Sequence, residues 1–551
     1  MNFLFIYLSA IWTFWFVRQE KIALFYIYLW QLKEYHWGRF IDHFRTEKGK
    51  RLIFHPLKIA KILVFFSYWP LAYFRIASVW LALIFTIYAL EFFMVLRDCN
   101  NRNLKKPVFT LKTWFFTGII SLIFLAILIY TFILDNFIIG IPLIPILALL
   151  LIDILSPIIV SVIILLFQPL AIIYRLIAII RAKRKRLKFK GLTVIGITGS
   201  YGKTSTKEIL KIILEQKFKV LATKEHQNSE IGISRCVLDE LKPEHQVFIC
   251  EMGAYDKGKI RQVANIVQPR IGVVTGVNEQ HLALFGSMEN LMSAEGGIEL
   301  TNALPENGVL ILNEDSALIQ NAKRWDKYQN DNVKIKIKLC SAKQKTDLWA
   351  ENIVVEKDWL YFKVCDKAGG SADFKINLVG RHNIENVLLA AAVAKELGMS
   401  LSEITAACKK IKPGQGAMKL FRKEGSADII DSTYSANPDG VITSLEHLKF
   451  WSGKKIIIMP CLIELGSAAK EVHEKIGGKI GQVCDFAVIT TKDWFEEIKK
   501  AAVVGGMKPE NIIFSESSKE ILEKIKPYCQ PESIILLEGR LPQKLKELLK
   551  I

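Results

Sequence analysis

The sequence predicts an α-helical transmembrane domain followed by α/β structure, with a P-loop central domain and a smaller Rossmann-like C-terminal domain. Three observations predict it. Long apolar runs fill residues 1–180 and then stop. From residue 192, apolar runs of strand length alternate with helical patterns. The first of these runs leads into Thr198-Gly199-Ser200-Tyr201-Gly202-Lys203-Thr204-Ser205-Thr206, a glycine turn followed by lysine and hydroxyl residues. The domains expected are 1–180, a basic linker at 181–191, a central domain at 192–417 and a last domain at 418–551.

Charge divides the chain at the same place. The 551 residues carry a net charge of +19. Residues 1–190 hold 24 Lys+Arg against 8 Asp+Glu, and residues 191–551 hold 49 against 46. The basicity therefore belongs to the N-terminal part and is no nucleic-acid footprint. The rest has the balance of an ordinary soluble enzyme. Nine cysteines without a Cys-x-x-Cys pair read as reduced, structural thiols of a cytoplasmic protein.

Crossing a bilayer takes about 20 mostly apolar residues. Residues 3–17, 59–74, 76–96, 113–134 and 137–180 read as five spans. The first is short and has a signal peptide as its alternative. The last, broken by Pro142, Pro145, Pro157 and Pro169, is one kinked span or a re-entrant piece plus a span. Residues 22–32 are too short to span and read as interfacial. Nine Lys+Arg in 18–58, five in 97–112 and seven in 181–190 place those segments in the cytoplasm. The last of them is expected to lie on anionic membrane lipid. Glu91 and Asp135 read as interfacial. Asp153 sits deeper, as a functional group or a helix-packing contact.

The glycine turn is a phosphate cradle. Gly199 and Gly202 let backbone N–H groups converge on an anion, and the helix beginning near Lys203 adds its positive end. Gly199, Ser200, Tyr201, Gly202, Lys203, Thr204 and Ser205 are the expected ATP loop. Lys203 reaches the terminal phosphates, and the Thr204 hydroxyl meets Mg²⁺. Ile197 stands where the longer motif has glycine, so this is the Gly-x-x-Gly-Lys-Thr form. A plain turn before a helix is the alternative. Glu251, ending the apolar run 247–250, is a hard-oxygen partner for the same Mg²⁺.

Strands are expected at 271–275, 309–312, 353–355, 360–364 and 374–378, and an Ala-rich helix at 384–397. A second set is expected near 429–430, 455–459, 486–490, 512–514 and 534–537. Further motifs accompany them: Cys250-Glu251-Met252-Gly253-Ala254, Asn278-Glu279-Gln280-His281-Leu282, Gly380-Arg381-His382-Asn383-Ile384-Glu385-Asn386, Tyr434-Ser435-Ala436-Asn437-Pro438-Asp439 and Ile463-Glu464-Leu465-Gly466. In this order they resemble the Mur ligases, the ATP-dependent amide ligases of peptidoglycan precursor assembly, over about residues 192–500.

The resemblance implies a ligase that phosphorylates a precursor carboxylate and joins it to D-Ala-D-Ala or a similar amine. His281 resembles a ligand of a second metal. Asn383 and Asn386 resemble asparagines that hold adenine, with a helix N-cap at Asn383 as the alternative. Asp431 resembles an acid that holds the ribose. Thr223, Lys224, Asn228 and Glu230 resemble a substrate loop, and Tyr434 and Asn437 complete the substrate set. The chain also departs from the family. A helical region replaces the domain that grips the uridine nucleotide, so the precursor is UDP-linked or lipid-linked. Ser432 replaces the second acid of an Asp-Asp pair. A phosphate-side arginine aligns with Ala417, with Lys419 or Arg422 as substitutes, and an aspartate aligns with Cys461. Glu295 stands where the family carbamylates a lysine, and supplies its carboxylate directly. The competing readings are a related ligase on a lipid-linked, folate-type or cyanophycin-type acceptor, and a membrane transport or scaffold protein with a nucleotide switch.

Overall fold

The computed structural model describes residues 2–33, 35, 37–74, 76–101, 103–133, 143–225, 227–321, 335–412, 418–422, 424–434 and 436–549. Asp135, Pro142, Ala417 and Ser435 lie outside them. Two compact units form, Met1–Tyr174 and Arg175–Ile551.

The first unit is helical: α1 (Asn2–Leu32), α2 (Trp37–His43), α3 (Glu47–Ile53), α4 (Pro56–Tyr73), α5 (Ala77–Asn100), α6 (Leu111–Ile133), α7 (Leu143–Leu166) and the start of α8 (Gln168–Leu187). Among the described residues, four helices are long and apolar enough to cross a membrane: Gly49–Tyr73, Ser78–Asn100, Leu111–Ile133 and Ile144–Leu187. The fifth expected span is part of α1, which is not among them. It continues through residues 22–32, so that stretch is no separate interfacial segment.

The helix survives Arg18, Gln19, Glu20 and Lys21 because each finds a partner on another helix. Arg18 Nε lies 3.0 Å from Glu91 Oε1, and Gln19 Nε2 donates to Asp153 Oδ1 at 2.8 Å. Ser121 Oγ donates to Glu20 Oε2 at 2.7 Å, and Lys21 Nζ reaches Asp98 Oδ2 at 2.7 Å. Glu91 is correspondingly buried rather than interfacial. The unit buries these polar groups within an apolar core that includes Trp15, Trp30 and Phe124, and it is apolar outside as well, where Leu63, Phe66, Leu122 and Ile158 are exposed. Pro157 lies within α7, where its missing N–H frees the carbonyl of Asp153. The Ser156 hydroxyl donates to that oxygen at 2.8 Å, so the helix continues.

The second unit begins inside α8, ahead of the expected boundary at 192. Ala182 is fully buried in its core. Lys185 Nζ donates to Leu238 O at 2.7 Å, and Arg186 Nε to Val267 O at 2.8 Å. Two charges of the expected basic linker thus close carbonyls of the folded unit, while Arg181, Lys183, Arg184, Lys188 and Lys190 stay exposed.

Nine strands form its main sheet: β1 (Thr193–Thr198), β2 (Val220–Ala222), β3 (Val247–Glu251), β4 (Ile271–Val274), β5 (Val309–Asn313), β6 (Lys336–Ser341), β7 (Leu348–Val355), β8 (Leu360–Asp366) and β9 (Ser371–Ile376). The order is β2-β3-β1-β4-β5-β6-β7-β8-β9. β2 through β7 are parallel neighbours, and β7–β9 end the sheet as an antiparallel meander. β3, β4 and β5 are buried along their whole length, which is why they read as unbroken apolar runs. Helix α9 (Lys203–Leu214) and helix Asn383–Glu396 pack on one face, and helices Glu230–Arg235 and Lys259–Val267 on the other.

A second sheet has the order β10-β11-β15-β12-β13-β14, from β10 (Lys419–Phe421), β11 (Asp428–Ser432), β12 (Lys455–Met459), β13 (Phe486–Ile489), β14 (Ile512–Phe514) and β15 (Ile534–Glu538). β11 and β15 run parallel in a register that sets Ser432 beside Glu538, and Ser432 Oγ donates to Glu538 Oε1 at 3.1 Å.

Burial raises the Glu538 carboxyl to about 8, with the neighbouring Asp431 adding to the effect and the serine hydrogen bonds opposing it. The folded state then holds a proton that the unfolded chain releases, so stability falls as pH rises from the ordinary glutamate range to about 8. Glu538→Gln keeps the shape and removes the titration. In thermal unfolding of the full chain in detergent, its midpoint should exceed the parent's near pH 9. The two should converge toward pH 4. Equal midpoints near pH 9 would mean that the carboxyl is not held neutral.

Candidate nucleotide and metal site

The loop between β1 and α9 turns on two glycines in the left-handed region, Gly199 at φ 140° and Gly202 at φ 80°. A Cβ on Gly199 would lie 2.3 Å from Thr275 Oγ1, and one on Gly202 2.7 Å from Asn386 Oδ1. Only glycine lets the loop curl this tightly against β4 and helix Asn383–Glu396. Lys203 Nζ folds over it, donating to Gly199 O and, at 3.1 Å, to Ser200 O. The Tyr201 ring is pressed against Gly276, and Ser205 is half-buried in the first turn of α9.

One flank of the loop is Glu251. The parallel register pairs it with Ile197, at the carboxyl end of the sheet. Thr204 Oγ1 donates to its Oε1 at 3.1 Å, with Asn228 Nδ2 at 3.4 Å from the same oxygen. Its backbone N–H donates to Thr223 Oγ1 at 3.0 Å. Lys207 Nζ, completely buried, lies 3.2 Å from its Oε2. Tyr434 is hydrogen-bonded to Thr204 and Glu225, which brings the second sheet's domain to this flank.

The other flank is Glu295, 1% exposed. Its Oε2 accepts from Ser200 Oγ at 2.7 Å, and its Oε1 lies 2.9 Å from His281 Nδ1. Burial alone would raise this carboxyl. The His281 ring, the Lys203 charge and the Ser200 hydrogen bond outweigh that and hold it below the usual glutamate range. Asn278 joins this flank to the last domain. Its N–H donates to Ser200 Oγ at 3.2 Å, and its Nδ2 to Asn437 Oδ1 at 3.0 Å and Asp439 Oδ2 at 3.1 Å.

Phosphate loop, Thr204, Thr223, Asn228, Glu251, His281, Glu295, Tyr434 and Asn437 thus come together. Other expected residues do not. Lys224 is exposed and pairs with Glu240 at 2.8 Å, and Glu230 pairs with Lys259 at 3.2 Å. Asp431 accepts from the Thr433 N–H at 3.0 Å and lies 3.4 Å from Lys546 Nζ. Arg422 pairs with Asp358 at 3.2 Å, and Lys419 sits in register opposite Asp431.

The two asparagines face inward. Asn383 Nδ2 donates to Val379 O at 2.9 Å, Asn386 Nδ2 to Asn383 Oδ1 at 3.1 Å, and Thr206 Oγ1 to Asn386 Oδ1 at 3.1 Å. Both amides are used to brace the loop from beneath. The residue before the helix is His382, so Asn383 is not its N-cap.

Sequence reasoning missed Lys207 and the bridging role of Asn278. Lys207 had a signal: it lies in the apolar stripe of α9 with Leu210, Ile213 and Leu214, where a lysine needs a carboxylate.

Among the described residues, no three His, Cys, Asp or Glu side chains gather as a metal cluster. Thr204 and Glu251 nevertheless present two hard oxygens 3.1 Å apart. Mg²⁺ is commonly held by one or two protein oxygens with phosphates and waters, so these residues fit it.

Fold and loop define a phosphate-loop protein with a Rossmann-like second domain. Residues 197–394 match the Mur ligase middle domain, and residues 418–541 match the Mur ligase glutamate ligase domain. The chain belongs to the Mur ligase family. It is 30% identical to the UDP-N-acetylmuramoyl-tripeptide–D-alanyl-D-alanine ligase of Escherichia coli over 52% of this chain and 61% of that protein. It is 26% identical to the enzyme of that name from Bacillus subtilis, over 65% and 76%. Many of the relatives it matches are thus spanned for about three fifths of their length. MurF from Acinetobacter baumannii superposes with a TM-score of 0.60 and 25% identity, over 68% of this chain and 79% of that one.

Glu251 and Lys207 make a stability test. Glu251→Gln and Lys207→Met each break a buried pair and should each cost about 3–5 kcal/mol, whereas the double variant Glu251→Gln/Lys207→Met should cost much less than the sum of the two. Urea unfolding of the three variants checks this. Additive losses in the double variant would mean that the two charges do not act as a buried pair.

Proposed function

We propose that this protein is a membrane-anchored, ATP-dependent amide ligase that joins D-alanyl-D-alanine, or a similar amine, to a carboxylate of a peptidoglycan precursor. The observation that carries this reading is a phosphate loop flanked by two buried carboxylates, Glu251 and Glu295, under the family's second domain. The names of the relatives support the substrate class.

In this reading a precursor carboxylate oxygen attacks the γ-phosphorus of ATP, ADP leaves, and an acyl phosphate forms. The amine nitrogen then attacks the acyl carbon. A C–N bond forms, the C–O bond to phosphate breaks, and the amine gives up a proton. Lys203 and the loop N–H groups hold the transferring phosphoryl group, whose charge would otherwise repel the incoming carboxylate. Mg²⁺ at Thr204 and Glu251 would neutralise phosphate charge. Lys207 and Asn228 fix the Glu251 carboxylate. Glu295 fixes the His281 ring through Nδ1, and its own charge stands in for a carbamate.

Four candidate spans and the exposed bases of residues 181–190 support an anchor on anionic membrane lipid, with the ligase unit in the cytoplasm. A helical unit in place of the uridine-gripping domain favours a lipid-linked acceptor over a UDP-linked one. The test incubates the full chain with ATP, D-Ala-D-Ala and either acceptor, and seeks the ligated product by mass spectrometry. ATP turnover without need of an acceptor would favour a nucleotide-switched transport or scaffold protein.

Lys203→Ala should lower ligation about 10²–10³-fold, the loss typical of one transition-state donor, with folding unchanged. A near-normal rate would move the ATP site elsewhere. Ligation should also be indifferent to removal of bicarbonate and fall sharply in Glu295→Gln at limiting Mg²⁺. Wild-type turnover in that variant would exclude Glu295 from the metal's surroundings.

A further inference from the structure

The helical unit contains a buried ion network that the ligase chemistry does not use. Lys61, Glu91 and Asp153 are 2%, 4% and 4% exposed, on α4, α5 and α7. Lys61 Nζ lies 2.5 Å from Glu91 Oε2 and pairs also with Asp153. Arg18 Nε takes the other Glu91 oxygen, and Tyr88 and Gln19 donate to Asp153. Two cations thus balance two anions, the condition on which such burial is tolerated.

At one end the balance fails. Lys58 lies one turn before Lys61 on the same face of α4. It is half-buried and, among the described residues, makes no direct ion pair, with Asp153 acting on it only at longer range. His55 caps α4, its Nδ1 accepting from the Leu57 N–H at 3.3 Å, which leaves Nε2 as the outward ring nitrogen. Arg18 pairs with Glu91 at 3.0 Å, and its buried Nε–H makes no hydrogen bond to a described residue. Arg18, His55, Lys58 and Lys61 are electrostatic neighbours. The N-terminus of the 18-residue α4 adds its positive end at the same place.

We propose that Arg18, His55 and Lys58 form a binding site for the phosphate of a membrane lipid. The guanidinium fork, an ammonium and a ring N–H supply donors for a tetrahedral oxyanion. The proposal sets His55 and Lys58, at the start of α4, and their neighbour Arg18 of α1 at headgroup depth. A diacyl phospholipid and a polyprenyl diphosphate both offer this chemistry. The second would make the site part of acceptor recognition, an assignment that rests on the ligase reading above.

The test uses the full chain in neutral phosphatidylcholine nanodiscs doped with phosphatidylglycerol, with a polyprenyl diphosphate, or with neither. Retained lipid is read by native mass spectrometry, without ATP or amine, so its outcome is separate from that of the ligation assay. The paired substitution His55→Gln/Lys58→Gln should reduce retention of phosphate-bearing lipid about tenfold or more, as expected for charge removed near a headgroup. Lys105→Gln/Lys106→Gln, which removes exposed charge elsewhere, should not. Nucleotide binding by the same preparations reports intact folding. Stronger retention of the diphosphate assigns the site to the acceptor, and equal retention assigns it to bulk anionic lipid. No retained phosphate lipid in the parent, or undiminished retention in the His55/Lys58 variant, would overturn the proposal.

Discussion

Lys207 and Glu251 hold the ligase unit's site in place. The lysine approaches from the second turn of α9 and the carboxylate from the end of β3, with neither exposed to water. Their attraction is strong because it is dry, and the cost of drying them is recovered only when they meet. Helix and strand therefore have one relative position. The Thr204 hydroxyl, one turn earlier on the same helix, is carried to the other Glu251 oxygen by that constraint. Asn228 adds a contact to the carboxylate and Thr223 accepts from the Glu251 N–H, so the chain after β2 is tied to the same residue.

The opposite flank depends on Ser200 in a similar way. One hydroxyl accepts from Asn278 and donates to Glu295, and Asn278 reaches across to Asn437 and Asp439. Gln280 Nε2 adds a bond to Ala436 O at 2.8 Å, and the Ala283 N–H one to Glu464 O at 2.9 Å. The phosphate loop and the last domain thus share a hydrogen-bond chain three side chains long. A shift of that domain changes the surroundings of Ser200 and Glu295 directly.

What was legible in the sequence was local. The loop 198–206 is contiguous, so strand, glycines and lysine announce it together. The central strands are buried on both faces and read as plain apolar runs. β2 and β10 are three residues long, and β6 alternates lysine with apolar residues, so none of the three stood out. Properties set by neighbours distant in sequence were not legible. Ser432 read as a lost acid, yet the register with β15 brings the Glu538 carboxyl to within 3.1 Å of it. The face shared by Asn383 and Asn386 was readable, but not that it turns inward to Thr206. The polar tetrad of α1 looked like a helix end because its partners lie 73 to 134 residues further on.

That tetrad bears on how the chain is made. Taken alone, α1 holds Arg18, Gln19, Glu20 and Lys21 in the middle of an apolar helix with no partner for them, and packing a charge or an amide away from water is costly unless it is paired. The carboxylates for its cations are on α5, and the carboxylate that accepts from the Gln19 amide is on α7, later in the chain. The first helix therefore has no settled packing until α5, α6 and α7 have followed it. Its final seating is then a late step of assembly, although it leaves the ribosome first.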